Sequence, residues 1–324
     1  MIPTESKEVA PPDGEGTAQI ARTGVRAIVV SWNGEKLLPS CLRALELQRG
    51  DFSLSPLVVD NGSTDGSLEL LKRDFPNIER LELAENLGYG RANNVALARA
   101  LSEGEEFALL VNNDVELEPD YLARLIAAAQ ANQDTALFTG TLLFRERLDD
   151  KDQVNSTGLV IDWFGRARDR DFRIPLEQLR REDGPVAGVS GGAALLRCSA
   201  LAKIGLFDPD YFAYYEDVDL SLRARALGYG CWYVKSAVAR HRFGATFGPG
   251  SPTQRYLLGR NHLRTAGRHL PTLRAAAVVA GTVAYRLAVK TPRELLRGAP
   301  ALASAEARSA AHGLIAAFKA WRER

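Results

Sequence analysis

From Val25 onward, short apolar runs alternate with stretches whose apolar residues recur every three or four positions. Val25–Ser31, Leu57–Asp60, Ile78–Leu83 and Phe107–Val111 read as buried strands, with Glu35–Gln48, Ser67–Arg73 and Arg91–Leu101 as the helices between them. Thr64 or Asp65 is placed to cap the second helix. Strands and helices that take turns predict a parallel sheet covered on both faces. Each predicted strand runs into polar residues: Ser31-Trp32-Asn33, Asp60-Asn61-Gly62, Glu85-Asn86 and Asn112-Asn113-Asp114. Ligands of such sheets bind beyond the carboxyl ends of the strands, so the four clusters predict one polar crevice.

After Thr135 the pattern changes. Ala136–Phe144, Gly158–Ile161, Val186–Val189, Ala193–Arg197 and Cys231–Val234 are strand-like, and charged loops run from Arg145 to Asn155 and from Arg166 to Asp183. Glu216–Leu227 reads as a helix. From about Gln254 the pattern is helical throughout, over Arg255–Leu270, Leu273–Val289 and Arg293–Trp321. The expected organisation is a polar tail over residues 1–24, an α/β domain over 25–250 and a helical extension over 251–324. The tail lacks the apolar core of a signal peptide and is expected to be disordered.

Composition adds little until charge is mapped. A 324-residue chain with 46% hydrophobic and 25% charged residues is ordinary for a globular protein, with room for one large domain and an appendage. Cys41, Cys198 and Cys231 are widely spaced and form no zinc pattern, which argues against a disulfide framework and for a reducing compartment. The net charge of +1 conceals an asymmetry: of 41 Lys+Arg and 40 Asp+Glu, 13 and 3 fall between Gln254 and Arg324. So basic a region suits an anionic partner, either membrane headgroups or nucleic acid, or simply a solvated helix face. Its cations lie among Ala, Leu and Val rather than among stacking aromatics, which argues against nucleic acid.

The uncharged run Ala275–Tyr285 is shorter than the about 20 apolar residues that a bilayer requires. Arg286, Lys290, Arg293 and Arg297 follow beside Leu287, Val289, Leu295 and Leu296, a pattern suited to a helix lying in the headgroup plane. Peripheral attachment to the cytoplasmic face of the plasma membrane is the expectation.

Several segments carry candidate chemistry. Asp60 at a strand end before Asn61-Gly62 can accept the imide N–H of uracil or thymine; turn and cap chemistry explains the same residues equally well. Glu85–Asn94 holds Gly88 and Gly90 ahead of a helix whose free N–H groups suit an anion, but it lacks the third glycine of a dinucleotide fingerprint. Asp114 offers a carboxylate to a hard divalent ion, with a diphosphate completing the shell. His241 is either structural or a further ligand near that carboxylate.

Tyr211–Leu220 sets Glu216, Asp217 and Asp219 among aromatics at the start of a helix. Leu220, Ala224 and Leu227 form its apolar stripe. Asp217 falls in line with that stripe and should lean inward, as a general base requires, while Glu216 flanks the opposite edge. Asp219 and Arg223 are expected to form an exposed i,i+4 salt bridge. Favourable placement of acids at a helix N-terminus is the plainer account of the three carboxylates.

The segments VVSWNG, VVDNGSTDGS, ENLGYGRANN, LLVNNDVE, VSGGAALLRCSALAKIGLFDPDYFAYYEDVDLSLRARALGYG and the later Arg240-His241, in this order, resemble the family 2 glycosyltransferases of GT-A fold. The likeness is to the rhamnosyltransferase-like branch that builds bacterial cell-wall and polysaccharide linkers, and it covers about Val25 to Phe247. It implies a GT-A catalytic domain over 25–250: a mostly parallel nucleotide-binding sheet flanked by helices. It implies that Asn33 and Asp60 contact base and ribose, that Asn86 and Asn94 shape that pocket with Gly88 and Asn112, and that Asp114 takes the last place of the family's DxD metal motif. Asp217 would be the general base, His241 would complete the metal or diphosphate site, and Gly191, Gly192 and Glu216 would border sugar and acceptor.

Two departures stand out. Asn112 replaces the first carboxylate of the metal motif. Arg91 occupies a position where relatives carry a small residue, so it either contacts the diphosphate or points outward. The function implied is inverting, Mg2+- or Mn2+-dependent transfer of a sugar, rhamnose favoured, from a dTDP- or UDP-linked donor to a lipid-linked saccharide. A sugar-nucleotide nucleotidyltransferase and a non-catalytic sugar-binding module are the alternatives. The first would want a basic Gly-rich loop after the first strand, where SWNGEK offers one Lys. The second has no need of Asp217.

Overall fold

The computed structural model describes residues 22–244 and 248–324, so the expected tail lies, up to residue 21, outside the described residues. The N-terminal half reads β1 (Thr23–Ser31), α1 (Leu38–Glu46), β2 (Phe52–Asp60), α2 (Ser67–Asp74), β3 (Glu79–Glu82), α3 (Tyr89–Ser102), β4 (Phe107–Asn112), β5 (Val115–Leu117), α4 (Tyr121–Ala131) and β6 (Thr135–Phe144). Then come β7 (Val154–Ser156), β8 (Leu159–Ile161), β9 (Ala167–Asp169), β10 (Gly184–Pro185), β11 (Ala193–Arg197), α5 (Cys198–Ile204), α6 (Glu216–Ala226) and β12 (Gly230–His241). Four helices close the chain: α7 (Pro252–His269), α8 (Thr272–Tyr285), α9 (Thr291–Leu296) and α10 (Pro300–Arg322), with a π-helical turn at Arg286–Lys290.

The main sheet runs β10-β12-β6-β11-β4-β1-β2-β3. Its β3-β2-β1-β4 half is parallel, as the alternating pattern predicts. Beyond β4 it is mixed, because β11 enters antiparallel between β4 and β6, while β12 lies parallel to β6. Strand alternation divides the core in two. Val25, Ala27 and Val29 of β1 pack with Leu42 of α1, Leu71 of α2 and Leu125 of α4. Ile28 faces the other way, with Ala96 of α3, Leu201 of α5 and Leu220 of α6. Each such fully buried Leu or Ile contributes about 1.5–3 kcal/mol of transfer free energy.

Three sequence expectations need correction. Val186–Val189 is a loop rather than a strand: after the Val186 N–H bonds the Cys231 carbonyl of β12, the chain turns away and Gly188 bridges Leu159 of β8. Leu227 is exposed, since α6 ends at Ala226 and its inward stripe stops at Ala224. Asp219 is fully buried rather than surface-paired. Its Arg223 bond forms as expected at 2.8 Å, but α7 covers the pair and adds His269 Nε2 at 2.8 Å and Arg268 at 3.6 Å. These partners hold the Asp219 carboxyl below its usual range against the opposing effect of burial.

Candidate active site

Two adjoining cavities open beyond the carboxyl ends of β1 and β4. The smaller, about 100 Å³, is lined by Val30, Trp32, Asn61, Asn86, Gly88 and Asn113. The larger, about 310 Å³, is lined by Asn155, Asp169, Gly191, Gly192, Glu216, Asp217 and His241. Tyr89, Asn112, Asp114 and Ala213 line both, so the end of β4 marks their junction.

Two polar loops lock the smaller cavity. Asn61 Nδ2 donates to Asn86 Oδ1 at 3.0 Å, and the Leu87 N–H donates back to Asn61 Oδ1 at 2.9 Å. Asn86 Oδ1 also accepts from the Gly88 N–H. Gly88 has φ +84°, and a Cβ there would strike the Phe212 carbonyl, so glycine is required on two counts. That carbonyl accepts the Tyr89 N–H at 2.7 Å, which uses one of the free donors at the start of α3.

Asp60 accepts the Ser63 N–H through Oδ2, while its buried Oδ1 has no partner. Asn33, Asp60 and Asn94 are not among the residues lining either cavity. Asn33 is spent on the Asn61–Thr64 turn, accepting the Thr64 N–H at 2.8 Å. Asn94 pairs through both its amide atoms with the backbone of Phe207 and so braces the loop before α6. Arg91 points outward and bonds the Pro209 carbonyl, which decides between its two readings.

At the junction, His241 Nε2 lies 3.3 Å from Asp114 Oδ1. The two are brought together because β5, carrying Val115, pairs antiparallel with the end of β12. His241 Nδ1 is 2.8 Å from Asn155 Oδ1. If Nδ1 carries the proton that this acceptor invites, the Nε2 lone pair faces a carboxylate oxygen that is buried and has no hydrogen bond. Asn112 Oδ1 nearby is also buried and unpartnered. Lone pairs facing one another without a proton between them fit a divalent cation. Among the described residues no group of three His, Cys, Asp or Glu forms, so protein atoms would fill only part of its shell. This suits an ion that shares its coordination with a diphosphate.

Across the larger cavity, α6 begins at Glu216 after Tyr214 and Tyr215, both at positive φ. Asp217 Oδ2 accepts the Gly191 N–H at 2.9 Å, and Oδ1 accepts the Val218 N–H at 2.8 Å. Burial raises the Asp217 carboxyl above its usual range although these bonds oppose it. Glu216, only 7% exposed, has an Oε2 atom with no partner. Burial first, and the charge of Asp217 second, push its carboxyl up.

Tyr89, Asn155 and Asp169 are among the lining residues that the sequence expectations do not name. Tyr89 separates the cavities and donates its hydroxyl to the Gly191 carbonyl at 2.7 Å. Asn155 orients His241. Asp169 brings a further carboxylate from β9, pushed up to about 6 by burial and by Asp217. Tyr89 lies within a segment that was singled out, so its neighbours were the available signal. Asn155 and Asp169 sit in or beside the two charged loops, where nothing in the spacing marks them.

In the helical extension, Arg286 differs from expectation. It turns into the bundle and pairs with Glu306 and Ser309 instead of facing outward. Residues Thr272–Leu296 form one continuous helix of 25 residues, long and apolar enough to cross a membrane by length and composition, in contrast to the short uncharged run read from sequence. Leu273, Ala277, Ala280, Ala284 and Leu287 form an exposed stripe along it.

The family description "Glycosyl transferase family 2" matches residues 27–205. The chain is 30% identical over 203 residues to the N-acetylglucosaminyl-diphospho-decaprenol L-rhamnosyltransferase of Mycobacterium tuberculosis, covering 58% of this chain and 66% of that relative. It is 29% identical over 165 residues to the rhamnosyltransferase WbbL of Escherichia coli, covering 48% of this chain and 60% of that relative. The chain thus spans just under two thirds of the length of the first. Among solved structures it superposes on the mannosyltransferase PcManGT of Pyrobaculum calidifontis, in complex with GDP-Man and Mn2+, with a TM-score of 0.56 and 17% identity, over 91% of this chain and 88% of the other.

Proposed function

Because the chain belongs to glycosyl transferase family 2, we propose that residues 25–250 transfer a sugar, rhamnose favoured, from a dTDP- or UDP-linked donor to a lipid-linked saccharide, with inversion at the anomeric carbon. The observation that carries this reading is the facing of Asp217 and the Asp114–His241 pair across one cavity that adjoins a second. The nucleotide would occupy the smaller cavity, among Asn61, Asn86 and Gly88. The diphosphate would lie at the junction, and the donor sugar and acceptor in the larger cavity beside Gly191 and Gly192.

The acceptor hydroxyl oxygen forms the new bond to the anomeric carbon as the bond from that carbon to the diphosphate breaks. The hydroxyl proton goes to Asp217, whose raised affinity for protons suits a general base, and the bonding pair leaves with the diphosphate. One displacement inverts the centre, so no second carboxylate needs to attack carbon. Gly191 fixes the aim of Asp217, and Tyr89 fixes Gly191. Asp169 is placed to hold another acceptor hydroxyl. Asp114 Oδ1 and His241 Nε2 would hold Mg2+ or Mn2+. Such an ion supplies charge compensation for the departing diphosphate.

The helical extension at 251–324 supports peripheral attachment to an anionic membrane surface at the cytoplasmic face. The α8 stripe is exposed, and Arg293 and Arg297 remain outward after Arg286 turns in. The test is incubation with dTDP- and UDP-linked sugars and a polyprenyl-diphosphate-linked N-acetylglucosamine, with and without chelator. Transfer from one donor supports the reading. Release of pyrophosphate from a nucleoside triphosphate and a sugar phosphate would favour the nucleotidyltransferase, and binding without turnover would favour a silent sugar-binding module.

A further inference from the structure

The hairpin that brings Asp169 to the acceptor cavity ends, at its other side, in two exposed aromatics. Trp163 is 61% and Phe164 47% exposed, with ring centroids 5.4 Å apart in an edge contact. Exposed aromatics on a mobile loop would be unremarkable, but this turn is fastened throughout. Asp162 Oδ1 accepts the N–H groups of both Phe164 and Arg166, and Gly165 takes the positive φ that closes the turn. The Phe164 carbonyl lies 2.9 Å from His262 Nε2 of α7, and the Trp163 carbonyl accepts Arg274 Nε of α8 at 2.7 Å. The backbone is held inward while both rings are left in solvent.

A guanidinium lies by each ring. The Arg274 guanidinium lies 4.2 Å from the centre of the Trp163 ring and that of Arg166 lies 5.2 Å from the Phe164 ring. The Asp162 carboxylate beside them is turned to the backbone. Leu273, next to Arg274 in sequence, is 87% exposed and begins the apolar stripe of α8. Rigid aromatics, each paired with a cation, match the boundary of an anionic bilayer, where tryptophan settles at headgroup depth and cations meet anionic lipid.

We propose that the Trp163–Phe164 tip inserts into the headgroup layer of an anionic membrane and holds the mouth of the acceptor cavity against it. The hairpin spans from this tip to Asp169 and Leu159 in the cavity wall, so a lipid-linked acceptor would enter along it. The inference rests on the membrane reading given above, and adds the element that orients the protein on the surface.

The test uses the full chain and vesicles of equimolar phosphatidylcholine and phosphatidylglycerol. Burial of two aromatic side chains predicts that Trp163→Ser with Phe164→Ser weakens vesicle binding at least about tenfold. Trp163→Phe should keep binding but lose the part of the tryptophan quenching that bromine-labelled acyl chains produce in the wild type, a readout that does not depend on a disruptive variant. Wild-type binding that survives the double substitution, or quenching unchanged in Trp163→Phe, overturns the role of the tip and leaves attachment to α8. No binding of the wild type to these vesicles overturns the membrane reading and this inference with it.

Discussion

The Gly191 N–H donates to Asp217 Oδ2 at 2.9 Å, so the aim of the proposed base is set by a backbone group that no side-chain substitution removes. Asp217→Asn should therefore keep the fold and donor binding while lowering turnover by roughly 10²-fold or more. Steady-state kinetics together with donor titration check this, and near-wild-type turnover would remove Asp217 from the role.

The Asp114–His241 pair makes the metal proposal testable without assaying transfer. Asp114→Ala should abolish the gain in melting temperature that Mn2+ gives in the presence of nucleoside diphosphate. Asn155→Leu should weaken the same gain by about 10–100-fold in metal affinity, because it releases the ring orientation of His241. Full activity in excess chelator would sink both.

Glu216 supplies a pH dependence. Its carboxyl is raised in the folded state, so the native protein binds this proton more tightly than the unfolded chain does. The associated stability is present at acid pH and is lost as pH rises from about 4.3, the unfolded value, to the raised one. Glu216→Gln removes that term, so its melting temperature relative to wild type should be higher at pH 8 than at pH 5. Parallel shifts at both values would show that the buried carboxyl does not titrate in this way.

Asp169 faces the acceptor side of the larger cavity. Asp169→Asn should raise KM for the acceptor and leave KM for the nucleotide sugar unchanged. An equal rise in both would place it elsewhere.

Removing one member of a buried ion cluster strands the others. Asp219→Ala leaves Arg223, Arg268 and His269 without their shared carboxylate, and should cost about 3–5 kcal/mol in a denaturant melt. A loss within the range of surface pairs would mean that water already screens the cluster.

These residues also show what periodicity can carry. The polar ends of β1, β2 and β4 are legible because each follows an apolar run directly, whereas the spacing to Leu220 does not single out Asp217: Glu216 and Asp219 are buried and Asp217 is only partly so. For Asp219, i,i+4 spacing fixes a neighbour on the same helix but says nothing of α7, whose His269, fifty residues on, helps to cover it. Arg286 failed for the same reason, its partner Glu306 lying on another helix. Asp169 belongs to a three-residue strand inside a charged stretch, too short for any alternation to register. The antiparallel entry of β11 likewise leaves no trace in its own composition.

The Asp219 cluster also bears on how such enzymes can be recombined. His269 and Arg268 belong to the helix that begins the extension, yet they complete the rear wall of the helix that presents Asp217. A chain ended near residue 250 would lose its proposed anchor and also bare a buried carboxylate two residues from the base. The extension is therefore no interchangeable cassette: a hybrid that borrows another protein's anchor must bring matching hydrogen-bond and charge partners for Asp219, or inherit a loosened catalytic helix.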